Sequence, residues 1–210
     1  MLVRMEALRI VHLDQALLLV DKPAGLLSVP GRGEEGLLNV TAQVQAEQPD
    51  ALIVHRLDQA TSGLMLFARG AAMQRALSMA FASRQVHKRY VAVVAGRVEQ
   101  DSGRIDAPLL ADWPRRPRQR VDLQQGKPAL TYWRVLERQV DQTRLELEPV
   151  TGRSHQLRVH LMSIGHPILG DTLYAPEPQR APRLLLHAAQ LSLRHPLHDR
   201  LCTWSSASPF

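Results

Sequence analysis

The sequence contains very little cysteine and no long apolar run. These two features argue against a disulfide-bonded protein and against a protein with a membrane-spanning helix. Its single cysteine, Cys202, rules out an internal disulfide and favours a reducing compartment. No segment approaches the ~18 uncharged apolar residues that a membrane helix needs. The N-terminal residues carry charge where a signal peptide needs its apolar stretch. We therefore expect a cytoplasmic protein with no membrane partner.

Signals for metal binding and for serine hydrolases are also missing. The chain has nine histidines, and His155 and His160 fall close together on one predicted helix. Their spacing of five does not match the i, i+4 pair that shares a metal ion. No acidic or cysteine cluster accompanies them, and no Gly-x-Ser-x-Gly motif occurs. We therefore expect no metal site.

The overall composition indicates a globular protein with an anionic partner. The 210 residues, 45% of them apolar and 22% charged, suit one large or two small domains with a sizeable core. The 26 basic residues outnumber the 20 acidic ones, which gives a net charge of +6 and a pI near 10.2. This excess favours a polyanionic partner. Since no repeat, low-complexity tract or linker occurs, we expect a single domain over residues 1–210.

Apolar periodicity predicts strands and helices in a mixed order. Strands are predicted at residues 8–13, 16–20, 64–68, 86–95, 130–137, 143–148, 184–186 and 190–193, the first two forming a hairpin. Helices are predicted at residues 40–47 with Asn39 as N-cap, at 71–83, and from Ser154 as N-cap to Gly165 as C-terminal cap. The strand at 64–68 has the continuous apolar pattern of a strand covered on both faces.

Residues 55–63 (HRLDQATSG) form the first candidate site. Asp58 follows Arg56 by two residues and precedes the turn formers 61–63, just ahead of the predicted buried strand. A neighbouring cation and hydroxyl or amide donors can hold a carboxylate ionised and in one orientation. A structural alternative, in which Asp58 caps a turn and pairs with Arg56, stays open on these residues alone.

Two further segments combine turn formers with basic side chains. Residues 21–33 supply prolines and glycines for a rigid loop from which Lys22 and Arg32 could reach phosphates, although an ordinary surface connection fits the same pattern. Residues 151–153 predict a tight turn that places Arg153 at the positive end of the third helix. An arginine in that position is suited to pair with a carboxylate.

The strongest nucleic-acid signal is the basic loop, residues 112–120 (DWPRRPRQR). Prolines stiffen it, Trp113 lies within it, and four arginines fall in six positions: Arg115, Arg116, Arg118 and Arg120. Arginines that neutralise phosphates release counterions, and an aromatic ring can stack on an unpaired base. The alternative is a solvated basic loop without a partner.

Taken together, these motifs resemble the RluA family of RNA pseudouridine synthases. Residues 55–64 (HRLDQATSGL) are similar to the family's catalytic-aspartate motif, residues 21–31 to its first motif, and residues 151–160 (TGRSHQLRVH) to its third. The segments that resemble the member acting on both ribosomal and transfer RNA are 112–114, 126–129, 165–171 and 181–188. The resemblance therefore spans nearly the whole chain.

The resemblance implies a fold class and a set of partners. The implied fold is α/β (α+β), with a central mixed, largely antiparallel sheet flanked by helices and loops, and an RNA-binding cleft across the sheet. The implied protein is one catalytic domain without an appended RNA-binding domain, a monomer that uses no cofactor. Its implied substrates are RNA and not DNA: a large-subunit rRNA hairpin and the tRNA anticodon stem-loop.

The resemblance also implies catalytic roles for individual residues. Asp58 would act at C1′ of a flipped uridine, and Arg153 would keep that carboxylate ionised and oriented. Tyr90, in a Lys-x-Tyr motif that begins at Lys88, would lie against the uracil. Without the resemblance, a half-buried strand tyrosine with no chemical role is the commoner case.

Substrate-binding residues are implied in the same way. Arg56 resembles the family residue that fills the space left by the flipped nucleotide. Either Leu185 or Leu186 would line the apolar wall of the site. Lys22, Lys88, Trp113 and the four arginines of the basic loop complete the predicted RNA-binding set.

The chemistry explains why such residues are needed. Pseudouridine formation breaks the bond from C1′ to the base nitrogen, turns the uracil and joins C1′ to C5. It therefore needs a carboxylate at C1′, exclusion of water and a flipped base. Three alternatives are a non-catalytic RNA-binding or RNA-chaperone module, a nucleoside or glycoside hydrolase that uses Asp58 with water, and the same isomerisation on only one of the two RNAs.

Overall fold

A computed structural model describes residues 8–31, 38–176 and 181–210. The chain forms two units, of which unit 1 comprises Met1–Val86 and Ser192–Ser206, and unit 2 comprises His87–Leu191 and Ala207–Phe210. Arg32, one of the predicted phosphate-binding residues, lies outside the described residues. The expectation of a single domain stays a prediction, and each unit is described by itself.

Unit 1 is built on the strand that the sequence predicts to be buried on both faces. This strand, β4 (Ser62–Arg69), has its first seven side chains buried. It pairs antiparallel with β2 (Leu17–Lys22) and with β3 (Ala51–Ile53), and β2 pairs antiparallel with β1 (Arg9–Leu13). The β1 and β2 pair confirms the predicted hairpin.

The described part of unit 1 also contains helices α1 (Val40–Glu47) and α2 (Gly70–Ala82). Asn39 caps α1 as predicted, because its side-chain oxygen accepts a hydrogen bond from the backbone N–H of Ala42 at 2.9 Å. Helix α2 confirms the helix predicted at 71–83, and its buried residue is Leu77.

Unit 2 contains an antiparallel sheet in the order β5, β10, β9, β6. These strands are β5 (His87–Ala95), β6 (Ser102–Asp106), β9 (Leu130–Arg138) and β10 (Gln142–Pro149). Along β10, fully buried Leu145 and Leu147 alternate with half-buried charged residues, as the period-two pattern predicts. A separate two-stranded pair, β7 (Leu109–Ala111) and β8 (Gln119–Val121), carries residues 112–118 of the basic loop between its strands, and the last two residues of the loop begin β8.

Helix α3 (Gln156–Ser163) begins differently from the prediction. His155 occupies the N-cap position in a left-handed conformation, with φ 53° and no capping hydrogen bond from its side chain, so the prediction of Ser154 as N-cap is wrong. The left-handed backbone of His155 starts the helix one residue later than predicted, and Gln156, its first residue, holds the preceding turn, because its Oε1 accepts from the N–H of Arg153 at 3.0 Å. At the other end, Gly165 has φ +85°, the left-handed conformation that the predicted C-terminal cap requires.

The last two strands of the described chain are β11 (Leu186–Arg194) and its partner β12 (Leu201–Ser205). The segment predicted at 190–193 lies within β11, whereas only Leu186 of the segment predicted at 184–186 belongs to this strand, so the prediction for residues 184 and 185 is wrong. The pairing is mostly antiparallel, and the expected α/β class is confirmed. No helix in the described ranges is long and apolar enough to cross a membrane.

The carboxylate of Asp14, between β1 and β2, takes part in several hydrogen bonds within unit 1. Its Oδ1 accepts from the N–H groups of Ala16 and Leu17 at 2.7 and 3.0 Å. Its Oδ2 lies 2.7 Å from Nε2 of His12 and 3.0 Å from Nε2 of His195. Burial by itself raises the pKa of Asp14, but the hydrogen bonds outweigh burial and hold this pKa well below its usual range.

We expect Asp14→Asn to lower the free energy of unfolding at pH 7 by about 1 to 2 kcal/mol, because the charged acceptor is lost. A lowered folded-state pKa stabilises the folded state fully above the unfolded-state pKa, about 4, and this stabilisation is lost progressively as the pH falls from there toward the folded-state pKa. Urea unfolding should therefore show the same difference at pH 7 and pH 5 and a smaller difference at pH 3. Asp199→Asn, at a carboxylate that is 83% exposed, is the control. A constant difference across this range would contradict the prediction.

Candidate active site

The candidate residues fall in both units, and Asp58 lies in unit 1, in the loop between β3 and β4. Its side chain is half-buried, and Arg56 before it is exposed. The backbone carbonyl of Asp58 accepts from the N–H of Thr61 at 3.0 Å, which closes the predicted turn. A backbone hydrogen bond thus closes this turn.

The first-motif loop, residues 22–28, holds the chain on both sides of Asp58. On one side, the hydroxyl of Ser28 donates to the carbonyl of Leu57 at 2.7 Å and accepts from its N–H at 3.1 Å. On the other side, the carbonyl of Gln59 accepts from the N–H of Gly25 at 2.8 Å, and Nε2 of Gln59 donates to the Gly25 carbonyl at 3.0 Å. Fixing both neighbours fixes the backbone of Asp58.

Lys22 is part of this clamp, which corrects the prediction that it binds RNA phosphates. Only 1% of its surface is exposed. Its ammonium group donates to the carbonyls of Pro23, Leu26 and Gln59 at 2.8, 2.7 and 3.0 Å. Because an ammonium has three protons, these bonds occupy its donors. Lys22 therefore positions the loop beside Asp58 and does not present a free charge to a ligand.

We expect Lys22→Met to lower the free energy of unfolding by about 2 to 4 kcal/mol, because three buried carbonyls lose their donor. We also expect kcat to fall at least about tenfold as Gln59 shifts beside Asp58. Urea unfolding and single-turnover kinetics measure the two effects, and Lys127→Met, at an exposed lysine, is the control. A lower salt dependence of RNA binding with unchanged stability would instead restore the phosphate-binding role.

His55, at the start of the central motif, is a further residue that sequence reasoning missed. Its Nε2 accepts from the backbone N–H of Leu66 in β4 at 2.9 Å. Its ring stacks on Phe81 of α2 at a centroid distance of 4.7 Å. Because Nε2 is an acceptor, the ring is neutral with its proton on Nδ1. His55 thus ties the motif to the adjacent strand and helix.

In unit 2, Lys88 and Tyr90 lie on one face of β5. Tyr90 is half-buried and pairs with Leu147 across the β10 ladder. Nζ of Lys88 lies 4.0 Å from the position that a Cβ would take at Gly152, in the third-motif turn. Burial lowers the pKa of Lys88. Unit 2 therefore places the side chain of Lys88, in the Lys-x-Tyr motif, beside the third-motif turn.

Arg153 has an exposed side chain on a firmly held turn. Its Nε donates to the carbonyl of Pro128 at 3.2 Å. Gln156, which is buried, accepts from the N–H of Arg153 and from the hydroxyl of Thr151 at 3.0 and 2.7 Å, and its Nε2 donates to the carbonyl of Leu130 at 3.0 Å. The sequence offers no local signal for this role of Gln156.

The structure separates Leu185 from Leu186. Leu185 lines a cavity together with Val93 of β5, and its carbonyl accepts from the Val93 N–H at 3.1 Å. Successive side chains of an extended chain point to opposite faces, so Leu186, 3% exposed, is turned the other way. Tyr90 is three residues from Val93 and lies on that opposite face. Leu186 is therefore the leucine on the Tyr90 side of the sheet.

The basic loop is exposed and partly ordered by ion pairs. Trp113 is 66% exposed, and the guanidinium carbon of Arg116 lies 4.5 Å from its ring centroid. Arg115 pairs with Asp112 at 2.8 Å, and Arg120 pairs with Asp122 at 2.8 Å. The Arg118 side chain is half-buried. The loop thus presents a stacked aromatic ring and several cations to solvent.

Over residues 8–31, 38–176 and 181–210, no group of three or more histidine, cysteine, aspartate or glutamate side chains is placed to hold a metal ion. The site residues described above are a half-buried carboxylate, a half-buried tyrosine and basic side chains. Such a set can supply a nucleophile or an electrostatic stabiliser, a stacking surface and contacts to phosphates.

Comparisons with known proteins identify the family. Residues 16–163 match the family model described as RNA pseudouridylate synthase. The chain is 47% identical over 204 residues to the dual-specificity RNA pseudouridine synthase RluA of Escherichia coli, covering 96% of this chain and 93% of that protein. It is 50% identical over 190 residues to the protein of the same name from Yersinia pestis, covering 89% and 92%.

A solved structure agrees with these relatives. The structure of human RNA pseudouridylate synthase domain containing 1 matches with a TM-score of 0.81 and 28% identity, covering 97% of this chain and 84% of that one. The range matched by the family model includes the central and third motifs, with Asp58, Tyr90 and Arg153. The chain therefore belongs to the RNA pseudouridylate synthase family and is an isomerase that forms pseudouridine in RNA.

Proposed function

We propose that this enzyme modifies specific uridines in two RNAs, a large-subunit rRNA hairpin and the tRNA anticodon stem-loop. The support is the near full-length similarity to synthases named for dual specificity. The exposed aromatic and basic side chains of the basic loop suit single-stranded loops, which is where proteins usually read RNA sequence. The observation that carries the assignment of Asp58 is the clamp that fixes the residues on both sides of it.

In the proposed reaction, the carboxylate of Asp58 acts at C1′ of the target uridine. It attacks this carbon, or stabilises positive charge on it, as the bond from C1′ to N1 breaks. The uracil then turns and C5 bonds to C1′, while any bond that the carboxylate has formed to C1′ breaks and Asp58 is released as a carboxylate; N1 takes up a proton and C5 loses one. The reactant and product have the same atoms, so no cofactor is needed.

Other residues have supporting roles in this proposal. Arg153 keeps Asp58 ionised and oriented, since a guanidinium favours a neighbouring carboxylate. Tyr90 stacks on the uracil, and Leu186 supplies an apolar wall that excludes water. Arg56, which is exposed, occupies the space that the flipped nucleotide leaves. The basic loop and Lys88 contact the RNA backbone.

We further propose that the enzyme acts as a monomer in the cytoplasm and that units 1 and 2 serve one catalytic domain. The single cysteine and the RNA substrates are consistent with a reducing, RNA-rich compartment. Sedimentation of the protein with and without an anticodon stem-loop measures the oligomeric state directly.

The experiment that tests the dual substrate is site mapping of pseudouridine in both RNAs. Each RNA is paired with a control in which the target loop is closed into a duplex, because a paired uridine is harder to flip. We expect modification of both open loops and little of either control. Modification of one RNA alone would establish the single-substrate alternative. Tight binding without modification of any RNA would favour a non-catalytic module.

A further inference from the structure

Unit 2 contains a buried network that joins the basic loop to the third-motif turn through one side chain, Tyr174. Its members are Arg158 of α3, Asp171 and Tyr174 in the segment after α3, His155 at the start of α3, and Gln119 at the end of the basic loop.

The network is anchored by a buried ion pair. The Nε and Nη2 atoms of Arg158 donate to Oδ2 and Oδ1 of Asp171, each at 2.8 Å. The two side chains are 5% and 0% exposed. Asp171 Oδ1 also accepts from the backbone N–H groups of Leu173 and Tyr174 at 2.9 and 3.1 Å. A bidentate pair of this kind holds its partners in one geometry.

The ring of Tyr174 is held by the same anchor. The guanidinium carbon of Arg158 lies 5.1 Å from the ring centroid. The ring is buried with Leu109, Ala129 and Val159 in an apolar cluster. The backbone and the ring of Tyr174 are therefore fixed independently of its hydroxyl group.

The Tyr174 hydroxyl connects two functional segments. It accepts from the backbone N–H of Gln119 at 2.8 Å, and Gln119 lies between Arg118 and Arg120 of the basic loop. The same hydroxyl lies 2.7 Å from Nδ1 of His155. His155 is two residues after Arg153 and immediately before Gln156, which holds the Arg153 turn. One oxygen atom thus links the RNA-binding loop to the turn that carries Arg153.

We propose that Tyr174 is a positioning residue, which sets the register between the basic loop and the Arg153 turn so that RNA held by the loop presents its uridine correctly to the third motif. This proposal rests on the proposed function of the basic loop and of Arg153. Phosphate contacts determine how tightly the RNA binds, whereas the register between the basic loop and the Arg153 turn determines whether the bound uridine is in a reactive geometry. The loop therefore needs an anchor to α3.

The test is Tyr174→Phe, which keeps the ring and its packing but removes the hydroxyl. We expect kcat for a stem-loop substrate to fall about tenfold. We expect KM and the salt dependence of RNA binding to stay within about twofold, because the arginines are unchanged. Tyr132→Phe, at a tyrosine of β9 in the same unit that is 44% exposed, is the matched control and should behave as wild type.

A double-mutant cycle separates positioning from a structural role. In a background with Arg115, Arg116, Arg118 and Arg120 replaced by alanine, the loop no longer holds RNA. The further effect of Tyr174→Phe on kcat should then fall below about twofold, because coupled residues are not additive. A lower melting temperature with unchanged kcat, a higher KM with unchanged kcat, or an equal loss of kcat in both backgrounds would each overturn the proposal.

The outcome also distinguishes this inference from the proposed function. If wild-type enzyme modifies no RNA in a panel of stem-loops, the proposed substrates are wrong and Tyr174 plays no part in that result. If wild-type enzyme is active and Tyr174→Phe has the same kcat, only the positioning role is wrong.

Discussion

Asp58→Asn should abolish pseudouridine formation, with a loss of at least about 10⁴-fold in kcat, while RNA affinity changes by less than about tenfold. The amide keeps the size of the side chain but cannot attack C1′ or balance positive charge on it. The clamp should survive, because Ser28, Gly25 and Lys22 form hydrogen bonds to the backbone of Leu57 and Gln59, which the substitution leaves unchanged. Single-turnover kinetics and a filter-binding titration measure the two quantities.

The matched control for this substitution is Asp101→Asn. That carboxylate is 91% exposed and lies on the surface beside Arg138. It changes the net charge by the same amount, so any general effect of charge on RNA binding appears in both variants. Turnover of Asp58→Asn near the wild-type rate would remove Asp58 from the mechanism.

The second large effect is expected on replacing the four arginines of the basic loop by alanine. We expect RNA affinity near 0.1 M salt to fall about 100-fold or more, and the slope of log K against log salt to flatten by up to about 3. The slope should change by less than the loss of four full phosphate contacts would produce, because Arg115 and Arg120 already pair with Asp112 and Asp122. A salt titration of RNA binding measures both.

A charge-matched variant tests whether this loss of affinity is specific to the basic loop. Arg9, Arg97, Arg194 and Arg200 are exposed, and replacing them by alanine removes the same four charges outside the loop. We expect this control to lose much less affinity and to keep most of the salt slope. Equal effects of the two variants would mean that the loop contributes only to the general positive charge of the protein.

The features predicted correctly are those that depend on residues close together in the chain. Asn39 caps α1 through a bond to a residue three positions away, and Leu145 and Leu147 alternate with charged residues along β10. Such patterns involve only neighbours in the chain, so the sequence shows them directly. The order of the three motifs, compared with a known family, was enough to identify the chemistry.

Long-range partners could not be predicted in this way. Lys22 donates to the carbonyl of Gln59, 37 residues away. The Tyr174 hydroxyl accepts from the backbone N–H of Gln119, 55 residues away. A lysine among turn formers has the same sequence pattern whether it is solvated or buried against carbonyls, so its predicted RNA contact was wrong. The predicted N-cap of α3 was wrong because His155, in a left-handed conformation, takes that position in place of Ser154.

Isomerisation at Asp58 is tested most directly by the fate of the uracil in an RNA whose target uridine carries tritium at C5. Wild-type enzyme should release one tritium for each pseudouridine formed, with no free uracil, and Asp58→Asn should release none. Free uracil and an abasic site, with tritium kept on the base, would contradict it and establish a hydrolase that uses the same carboxylate with water.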